Sequence, residues 1–451
     1  MRQLALNRVL WLLAGIILFA VSQGNAAPGK EQVIKQIDIA PAWAGHPVGF
    51  ALLTSGKRQF VAFYDAERRM TVASRTLDSE EWHLVRLPTS VGWDSHNYIA
   101  LAADDEGYLH IVGNIHASPL IYFRTTRPYD IDSFEKVDHM IGDREAHTTY
   151  PSFLRGPRNE FIFTYRDGSS GNGDQIWNMY DQQKHAWRRL LDVPLFGGNG
   201  QMNAYFSGPS RGPDGYFHIC WVWRNTPDCA SNHDLSYARS KDLVHWETST
   251  GKPLALPITL ATGDVVDPVP PGGGIINGNT RIGFDSRKRL ILSYHKHDAA
   301  GNTQIYNARL EDGHWHIYQT SDWKYHWQFQ GGGSIHFEIS LGPVRCDADG
   351  RLTQRYGHDK FGSGTWILDE KTLKPIGQAT AAPDLLKDYH KPVSTFPNMQ
   401  VMWANDSGEP AADGTRYQLR WETLPVNRDR QPEGPIPAPT MLRLFVIKPQ
   451  S

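Results

Sequence analysis

The sequence is poor in cysteine and has no dominant charge. Its 451 residues contain only Cys220, Cys229 and Cys346. Three thiols form at most one disulfide, so the fold must be held by a hydrophobic core rather than by cross-links. Lys and Arg total 46 against 48 Asp and Glu. This balance excludes nonspecific binding of nucleic acid or of an anionic bilayer, and any anionic ligand must be held by locally placed cations.

Long hydrophobic runs are absent except near the N-terminus. Val9 to Val21 form an apolar run of 13 residues, with Arg2 and Arg8 in the stretch before it and small residues at 24–27 after it. As a helix this run spans about 20 Å, against roughly 30 Å of membrane hydrocarbon. The pattern predicts a signal peptide over residues 1–27 and one secreted or periplasmic domain over 28–451 that does not insert into a membrane after cleavage. An uncleaved N-terminal anchor is the alternative.

Helical periodicity is scarce, whereas short β-type runs recur in pairs. The first run of each pair follows a turn, at 60–64, 109–113, 161–165, 217–221, 290–294 and 352–356. The second runs lie at 71–75, 120–124, 175–180, 235–239, 304–309 and 364–368, with a weaker seventh at 417–421. The period of roughly 50 to 70 residues predicts an all-β fold, a seven-bladed β-propeller. Packing between blades also accounts for the 15 tryptophans. A two-domain β-sandwich protein is the alternative.

Polar and reactive side chains follow the ends of the first runs. If these runs are the innermost strands, the residues after them meet at one mouth of the channel, where ligands commonly bind. Five consecutive units place such residues there: Asn114, His116, Tyr165, Arg166, Arg224, His295 and His358. Each of them alone could be structural, and Arg166 and Arg224 could be paired with Asp167 and Asp228.

The residues at this mouth of the channel include Arg, His and Tyr but no evident pair of carboxylates. Glycoside hydrolysis normally uses two acidic residues, so the set suits β-elimination better. In β-elimination from a uronic acid, the C5 hydrogen lies next to a carboxylate whose developing charge must be neutralised. Guanidinium groups can bind that carboxylate with two hydrogen bonds. His and Tyr can then move the protons, and a 4,5-unsaturated uronate is formed.

Several longer motifs resemble those of the BNR-type seven-bladed propeller enzymes, which include short ulvan lyases and rhamnosyl-glucuronate lyases. The motifs lie at 45–50, 92–98, 113–116, 165–173 and 212–216. The resemblance covers nearly the whole chain after the signal peptide. It implies an exported lyase that cleaves the rhamnosyl-α-1,4-glucuronate linkage of ulvan or of arabinogalactan-type glycans, with an acidic polysaccharide or oligosaccharide as its partner.

The resemblance also implies roles for individual residues. His96 and His116 have the 20-residue spacing of the histidine pair in these lyases, and Tyr150 and Arg166 have the 16-residue spacing of their Tyr and Arg. By this analogy His116 and Tyr150 transfer protons and His96 orients or shares a proton. Arg166 and Arg224 neutralise the carboxylate. The shorter gap between His96 and Tyr150 suggests a trimmed loop over the cleft.

Two alternatives remain open at this stage. His46, in Gly-His-Pro-Val-Gly-Phe, resembles the catalytic histidine that a related rhamnosidase family carries on the opposite face, which would give hydrolysis of the same linkage. A propeller that binds the same glycans without catalysis is the other alternative.

The expected chemistry requires no cofactor. His218, Cys220, Cys229 and His233 lie within sixteen residues of one another and could hold a structural zinc. The same residues could equally be a buried thiol beside unrelated histidines. A structural calcium is implied only by the resemblance.

Overall fold

The computed structural model describes residues 31–380 and 384–449. The predicted signal peptide lies outside the described residues, and the division into residues 1–27 and 28–451 stays a prediction. Among the residues that are described, helix is confined to short 3-10 turns at Ile131–Ser133, Cys229–Ser231 and Lys387–Tyr389. None of this helix has the length and apolar character required to cross a membrane.

The described strands form seven antiparallel sheets, which we call blades 1 to 7 in chain order. The chain begins with β1 (Glu31–Ala42). Blade 1 contains β2 (Ala51–Ser55), β3 (Arg58–Tyr64), β4 (Arg69–Thr76) and β5 (His83–Ser90), and blade 2 contains β6 (Ala100–Ala103), β7 (Leu109–Val112), β8 (Tyr122–Thr125) and β9 (Phe134–Val137). Blade 3 contains β10 (Thr148–Arg155), β11 (Phe161–Ser169), β12 (Asn172–Asp181) and β13 (Ala186–Arg189). Blade 4 contains β14 (Asn203–Arg211), β15 (Phe217–Arg224), β16 (Asn232–Ser240), β17 (Trp246–Glu247), β18 (Pro253–Leu254) and β19 (Asp264–Asp267). Blade 5 contains β20 (Arg281–Phe284), β21 (Leu290–His297), β22 (Thr303–Glu311) and β23 (His314–Gln319), and blade 6 contains β24 (Ile339–Leu341), β25 (Arg345–Cys346), β26 (Leu352–His358), β27 (Gly362–Leu368) and β28 (Pro375–Gln378). Blade 7 contains β29 (Gln400–Asn405), β30 (Arg416–Thr423) and β31 (Thr440–Pro449), with β1 as its outermost strand.

The first strands of the blades face one another around the centre. β2 contacts β6, β6 contacts β10, β14 contacts β20, and β29 contacts β2. Blade 7 takes three strands from the end of the described chain and one from its beginning, since β1 pairs with β31. This pairing closes the ring between the first and last blades. The prediction of an all-β propeller is confirmed, and the seven sheets are consistent with its seven blades.

The position of the repeated runs within the blades differs from the sequence prediction. The first runs are the second strands, such as β3 and β11, rather than the innermost ones. Six of the second runs are third strands, whereas 417–421 lies in β30, a second strand. Because neighbouring strands are antiparallel, each second strand ends at the face where the innermost strand begins. The residues after the first runs therefore still share one face, which we call the entry face.

The core lies between the blades, and aromatic side chains fill it. In β3, Gln59 to Tyr64 are all buried, because both faces of this sheet are covered. Phe50 of the segment before β2 stacks on Trp421 of β30, with ring centroids 4.5 Å apart. This contact joins blade 1 to blade 7 through large apolar surfaces, the interaction that stabilises a fold without cross-links. The three cysteines are free thiols.

Candidate functional site

A cluster of His, Tyr and Arg side chains lies at the entry face, on blades 2, 3 and 4. His96 belongs to the connection between β5 and β6, and His116 follows β7. Tyr150 lies in β10, Arg166 in β11 and Arg224 at the end of β15. Innermost strands begin and second strands end at this face, so these positions converge although they are far apart in sequence.

Asp94 holds the two histidines side by side. One carboxylate oxygen, Oδ1, lies 2.7 Å from Nδ1 of His96, and the other, Oδ2, is hydrogen bonded to Nδ1 of His116. The two imidazole rings stack with centroids 4.2 Å apart. These hydrogen bonds hold the pKa of Asp94 well below its usual range, although burial opposes the shift. The histidine side chains are 22% and 26% exposed, and among the described residues neither Nε2 has a hydrogen-bond partner. Both Nε2 atoms are therefore available to a ligand.

Tyr150 lies beside this pair in a strained backbone conformation. Its φ is 58°, in the left-handed region, and the register of β10 against β11 shifts between Thr149 and Ser152. Such strain outside glycine tends to occur at functional sites. The ring of Tyr150 packs against the edge of His96 at 5.7 Å. Burial raises the pKa of Tyr150 above its usual value, so its hydroxyl stays protonated at neutral pH.

Arg166 and Arg224 converge on Tyr205, which lies in β14. The guanidinium of Arg166 is 4.9 Å from the ring of Tyr150 and 5.9 Å from that of Tyr205, and Arg224 is 5.5 Å from Tyr205. Nη1 of Arg166 donates to the Tyr205 hydroxyl at 3.2 Å, and Nη2 donates to Thr149 Oγ1 at 3.1 Å. Burial opposes ionisation of Tyr205, but the two arginines lower its pKa overall.

The charges of both arginines lack a carboxylate partner within 4.0 Å in the described part of the chain. Arg166 is 2% exposed and Arg224 is 7% exposed. Arg224 donates to the carbonyls of Thr226 and Pro227, which are neutral acceptors. Asp167, the alternative partner of Arg166, instead accepts from Nε of Arg144 at 2.8 Å. Asp228 accepts from backbone N–H groups of residues 230 and 331. Buried cations are normally paired, so this arrangement favours binding of an external anion.

Below these side chains the interior is closed. A cavity of about 20 Å³ lies between Tyr98, Tyr150, Arg166, Gln175 and Tyr205. This volume holds roughly one water molecule, so a sugar ring must lie over the more exposed histidine edge of the cluster, with at most its carboxylate directed inward to the arginines.

Four residues predicted to bind substrate do not join the cluster. Tyr165 is fully buried in the core, and its hydroxyl accepts from Arg189. Asn114 donates to Thr89 Oγ1 at 2.8 Å and so fastens blade 2 to blade 1. His295 and His358 are buried among aromatic rings of blades 5 and 6. Sequence position placed them near the entry face, but packing turns their side chains into the blades.

His46 does not lie on an opposite face. It precedes β2 and therefore lies at the entry face, with its ring 5.8 Å from that of Trp93. It is 3% exposed and accepts from Trp43 Nε1 at 2.8 Å. Burial and the charge of Arg68 lower its pKa to about 4, so it is neutral. Because this histidine is enclosed by tryptophans, it is not placed to act on a glycan.

The predicted zinc ligands are not assembled. His218 is bonded to Tyr237 and Asp214, and His233 to Asp234 and Asn225. Within the described residues, the one His, Cys, Asp and Glu group with ligand atoms within 4.8 Å of one another is Asp94, His96 and His116. Both oxygens of Asp94 are already engaged with imidazole Nδ1 atoms, so we interpret this trio as a hydrogen-bonded clamp rather than a metal site.

We expect no stoichiometric zinc at the cysteines of blade 4. Burial raises the pKa of Cys220 to about 12 and raises that of Cys229, whereas zinc binds thiolates. Metal analysis of the purified protein should give the same zinc content for the wild type and for Cys229→Ser. Loss of one zinc per chain in this variant would contradict the expectation.

Sequence reasoning missed three residues of the cluster. Asp94 stands two positions before His96, and a search for acidic neighbours of that histidine would have found it. Tyr205 lies in the innermost strand of blade 4, as Tyr150 does in blade 3, and recognition of the innermost strands would have suggested it. Asp429, whose Oδ2 is 3.4 Å from His96 Nδ1, is 333 residues away from it, and no local pattern marks it.

Comparison with known proteins agrees with this fold. Residues 58–323 match the family model described as BNR repeat-containing family member. An ulvan lyase of Alteromonas sp. (strain LOR) is 20% identical over 314 residues, which cover 58% of this chain and 62% of that protein. The match thus spans less than two thirds of the length of this relative.

Solved structures share the architecture at low sequence identity. The crystal structure of the polysaccharide lyase Uly1 superposes with a TM-score of 0.61 at 14% identity, over 93% of this chain and all of that one. A PL25 ulvan lyase, solved with -[GlcA(1-4)Rha3S]- bound, gives a TM-score of 0.56 at 13% identity, over 92% of this chain and 96% of that one. The resemblance noted in the sequence motifs is confirmed, and the chain belongs to the BNR repeat-containing family.

Proposed function

We propose that the protein is an exported polysaccharide lyase. It would cleave the rhamnosyl-α-1,4-glucuronate linkage of ulvan or of an arabinogalactan-type glycan by β-elimination. The observation that carries this proposal is the pair of buried guanidiniums, Arg166 and Arg224, which have no carboxylate partner among the described residues. Arg166 lies over the ring of Tyr150, which in turn packs against His96. The names of the ulvan lyase relatives, one of them solved with a glucuronate-rhamnose saccharide, support the substrate class.

In the proposed reaction the arginines bind the carboxylate of the sugar acid. They stabilise the negative charge that develops on it when the C5 proton leaves. His116 donates Nδ1–H to Asp94, so its Nε2 carries the lone pair that accepts this proton. The electron pair of the C5–H bond then forms the C4–C5 double bond as the C4–O4 bond breaks.

Tyr150 is the proposed proton donor to the leaving O4 oxygen. Its raised pKa keeps the hydroxyl protonated, and among the described residues that hydroxyl has no hydrogen-bond partner. A partly buried donor without a protein acceptor can direct its proton at the substrate. The products would be a 4,5-unsaturated uronate and a free hydroxyl on the rhamnose side.

The test is incubation of the purified protein with ulvan and, separately, with gum arabic. Ultraviolet absorbance of the conjugated double bond and release of free rhamnose are followed together. Growth of absorbance with either glycan is the expected result. Free rhamnose without absorbance would indicate hydrolysis instead, and binding without change in chain length would indicate a carbohydrate-binding propeller; either outcome overturns the proposal.

Export is a separate part of the proposal. It rests on the predicted signal peptide, and cell fractionation of the producing organism tests it. Recovery of the protein from the periplasm or the medium with residues 1–27 removed is expected, and an intact N-terminus in the membrane fraction would show that the segment is an anchor.

A further inference from the structure

A loop of blade 7 reaches across the entry face to the histidine pair. The loop joins β30 to β31, and its residues Arg428 and Asp429 both have left-handed backbones, with φ of 53° and 57°. Nη1 of Arg428 donates to the carbonyls of Gln330 and Gly332 at 2.8 and 3.1 Å. Two consecutive residues in this region are strained, so the surrounding hydrogen bonds hold the loop in place.

The carboxylate of Asp429 links its own loop to two connections from other blades. Its Oδ1 accepts from the backbone N–H of Ser95 at 3.2 Å and from the Ser95 hydroxyl at 2.5 Å. Its Oδ2 accepts from the backbone N–H of Ser334 at 2.8 Å and lies 3.4 Å from Nδ1 of His96. The side chain is 9% exposed. Asp429 is thus a fixed, nearly buried anion beside an imidazole.

His96 therefore lies between two carboxylates. Asp94 approaches Nδ1 from the same connection, and Asp429 approaches it from blade 7. The other titratable groups that face the ring are His116, stacked on it, and Tyr150, against its edge. With Nδ1 engaged by two anions, a proton on Nε2 can point only towards the cleft.

We propose that Asp429 is a positioning residue that holds His96 as an imidazolium, with Nε2–H directed at the anionic sugar. The inference rests on the proposed lyase function. It adds a third cation beside Arg166 and Arg224 and separates the two histidines by role. His96 contributes charge to binding, and His116 accepts the proton.

The electrostatics agree with this geometry. Burial opposes protonation of His96, but Asp429 and Asp94 together raise its pKa to about 9. Because the folded value lies above the ordinary one, the cation is present at neutral pH and is lost as the pH rises through about 9. Binding that depends on this cation should weaken over the same range.

The test compares Asp429→Asn with the wild type in two independent ways. The first is an NMR titration of the His96 ring, assigned from the spectrum of His96→Gln. The midpoint in Asp429→Asn should fall by about one pKa unit or more, which is about tenfold in proton affinity. The second is the pH profile of turnover on the glycan that the wild type cleaves. Its alkaline limb should move down by the same interval, so KM should stay near the wild-type value at neutral pH and rise by up to about tenfold above about pH 9, with a smaller effect on kcat.

Asp406→Asn is the matched control. This partly buried carboxylate of blade 7 also joins two blades, since Oδ1 accepts from the N–H of Thr54 at 2.7 Å. It follows β29, at the opposite end of the strands from Asp429, because β29 and β30 are antiparallel. Its replacement should leave the His96 midpoint and the pH profile unchanged.

The outcomes separate this inference from the proposed function. If Asp429→Asn leaves the His96 midpoint where the wild type has it, the inference is wrong whatever the activity. If the variant does not fold, the wild-type titration decides, because a midpoint near the ordinary histidine pKa of 6.5 would contradict the inference. If the wild type produces no unsaturated uronate from any glycan, the lyase proposal fails, whereas the titration still reports on Asp429.

Discussion

Tyr150→Phe should lower kcat on the cleaved glycan by about 10²- to 10⁴-fold, the usual contribution of a positioned acid or base. The variant removes only the hydroxyl and keeps the ring that packs against His96 and Tyr205. KM should change little, because carboxylate binding by Arg166 and Arg224 is retained. The hydroxyl has no hydrogen-bond partner in the described chain, so the melting temperature should be nearly that of the wild type. Initial rates from ultraviolet absorbance and a thermal melt measure both quantities.

Tyr165→Phe is the control for this variant. It makes the same chemical change in the same blade, but on a core side chain whose hydroxyl accepts from Arg189. We expect a lower melting temperature and an unchanged rate, the reverse of the result for Tyr150. Turnover of Tyr150→Phe within a few fold of the wild type would remove Tyr150 from the reaction.

Arg166→Ala should lower kcat/KM by about 10²- to 10³-fold, the typical cost of losing one group that stabilises a developing negative charge. Both KM and kcat should be affected, since the guanidinium would contact the carboxylate before and during proton removal. Arg166→Lys should recover only part of the rate, because an ammonium keeps the charge but not the two-pronged hydrogen bonding. Steady-state kinetics of the two variants give the comparison.

Arg166→Ala should not lower the melting temperature, which is unusual for the truncation of a buried side chain. Arg166 is a buried cation that has no carboxylate partner within the described ranges, and it lies close to a second buried cation. Such a charge opposes folding, so its removal should leave the melting temperature unchanged or raise it. Arg189→Ala is the contrasting control in blade 3, because Arg189 forms an ion pair with Asp143 and bonds to Asn178. It should lower the melting temperature and leave kcat/KM intact. A large loss of stability in Arg166→Ala with normal kinetics in the folded fraction would contradict the assigned role.

The repeat of paired β-type runs could be recognised from the sequence because each strand carries its own apolar pattern. The place of a strand within its blade could not, since second and innermost strands are both short and apolar. The sequence pattern for this reason predicts β3 as the innermost strand, whereas β2 has that position. The pairing of β1 with β31 joins two segments about 400 residues apart, and no local sequence pattern predicts it.

The candidate site likewise contains residues that the local sequence indicates and residues that only distant contacts bring together. The spacings of His96 to His116 and of Tyr150 to Arg166 can be recognised in the sequence because the members of each pair are close along the chain. The first pair flanks β6 and β7 of blade 2, and the second lies in β10 and β11 of blade 3. The sequence predicts that Tyr165 and His295 bind substrate, whereas the structure buries both side chains within the blades. The sequence does not show towards which side of a strand end a side chain packs. Asp94 is near His96 in sequence and could have been found, whereas Asp429 could not.

The amino-acid order alone establishes short strands, their repetition and the residue types at the ends of the strands, because these properties depend on near neighbours. Closure of the ring, the contact of Asp429 with His96, and the burial of two arginines away from every carboxylate that the structure describes depend on contacts between distant blades. Those contacts arise only when the sheets are packed around a common centre, and they set the charge and the protonation of the side chains at the entry face.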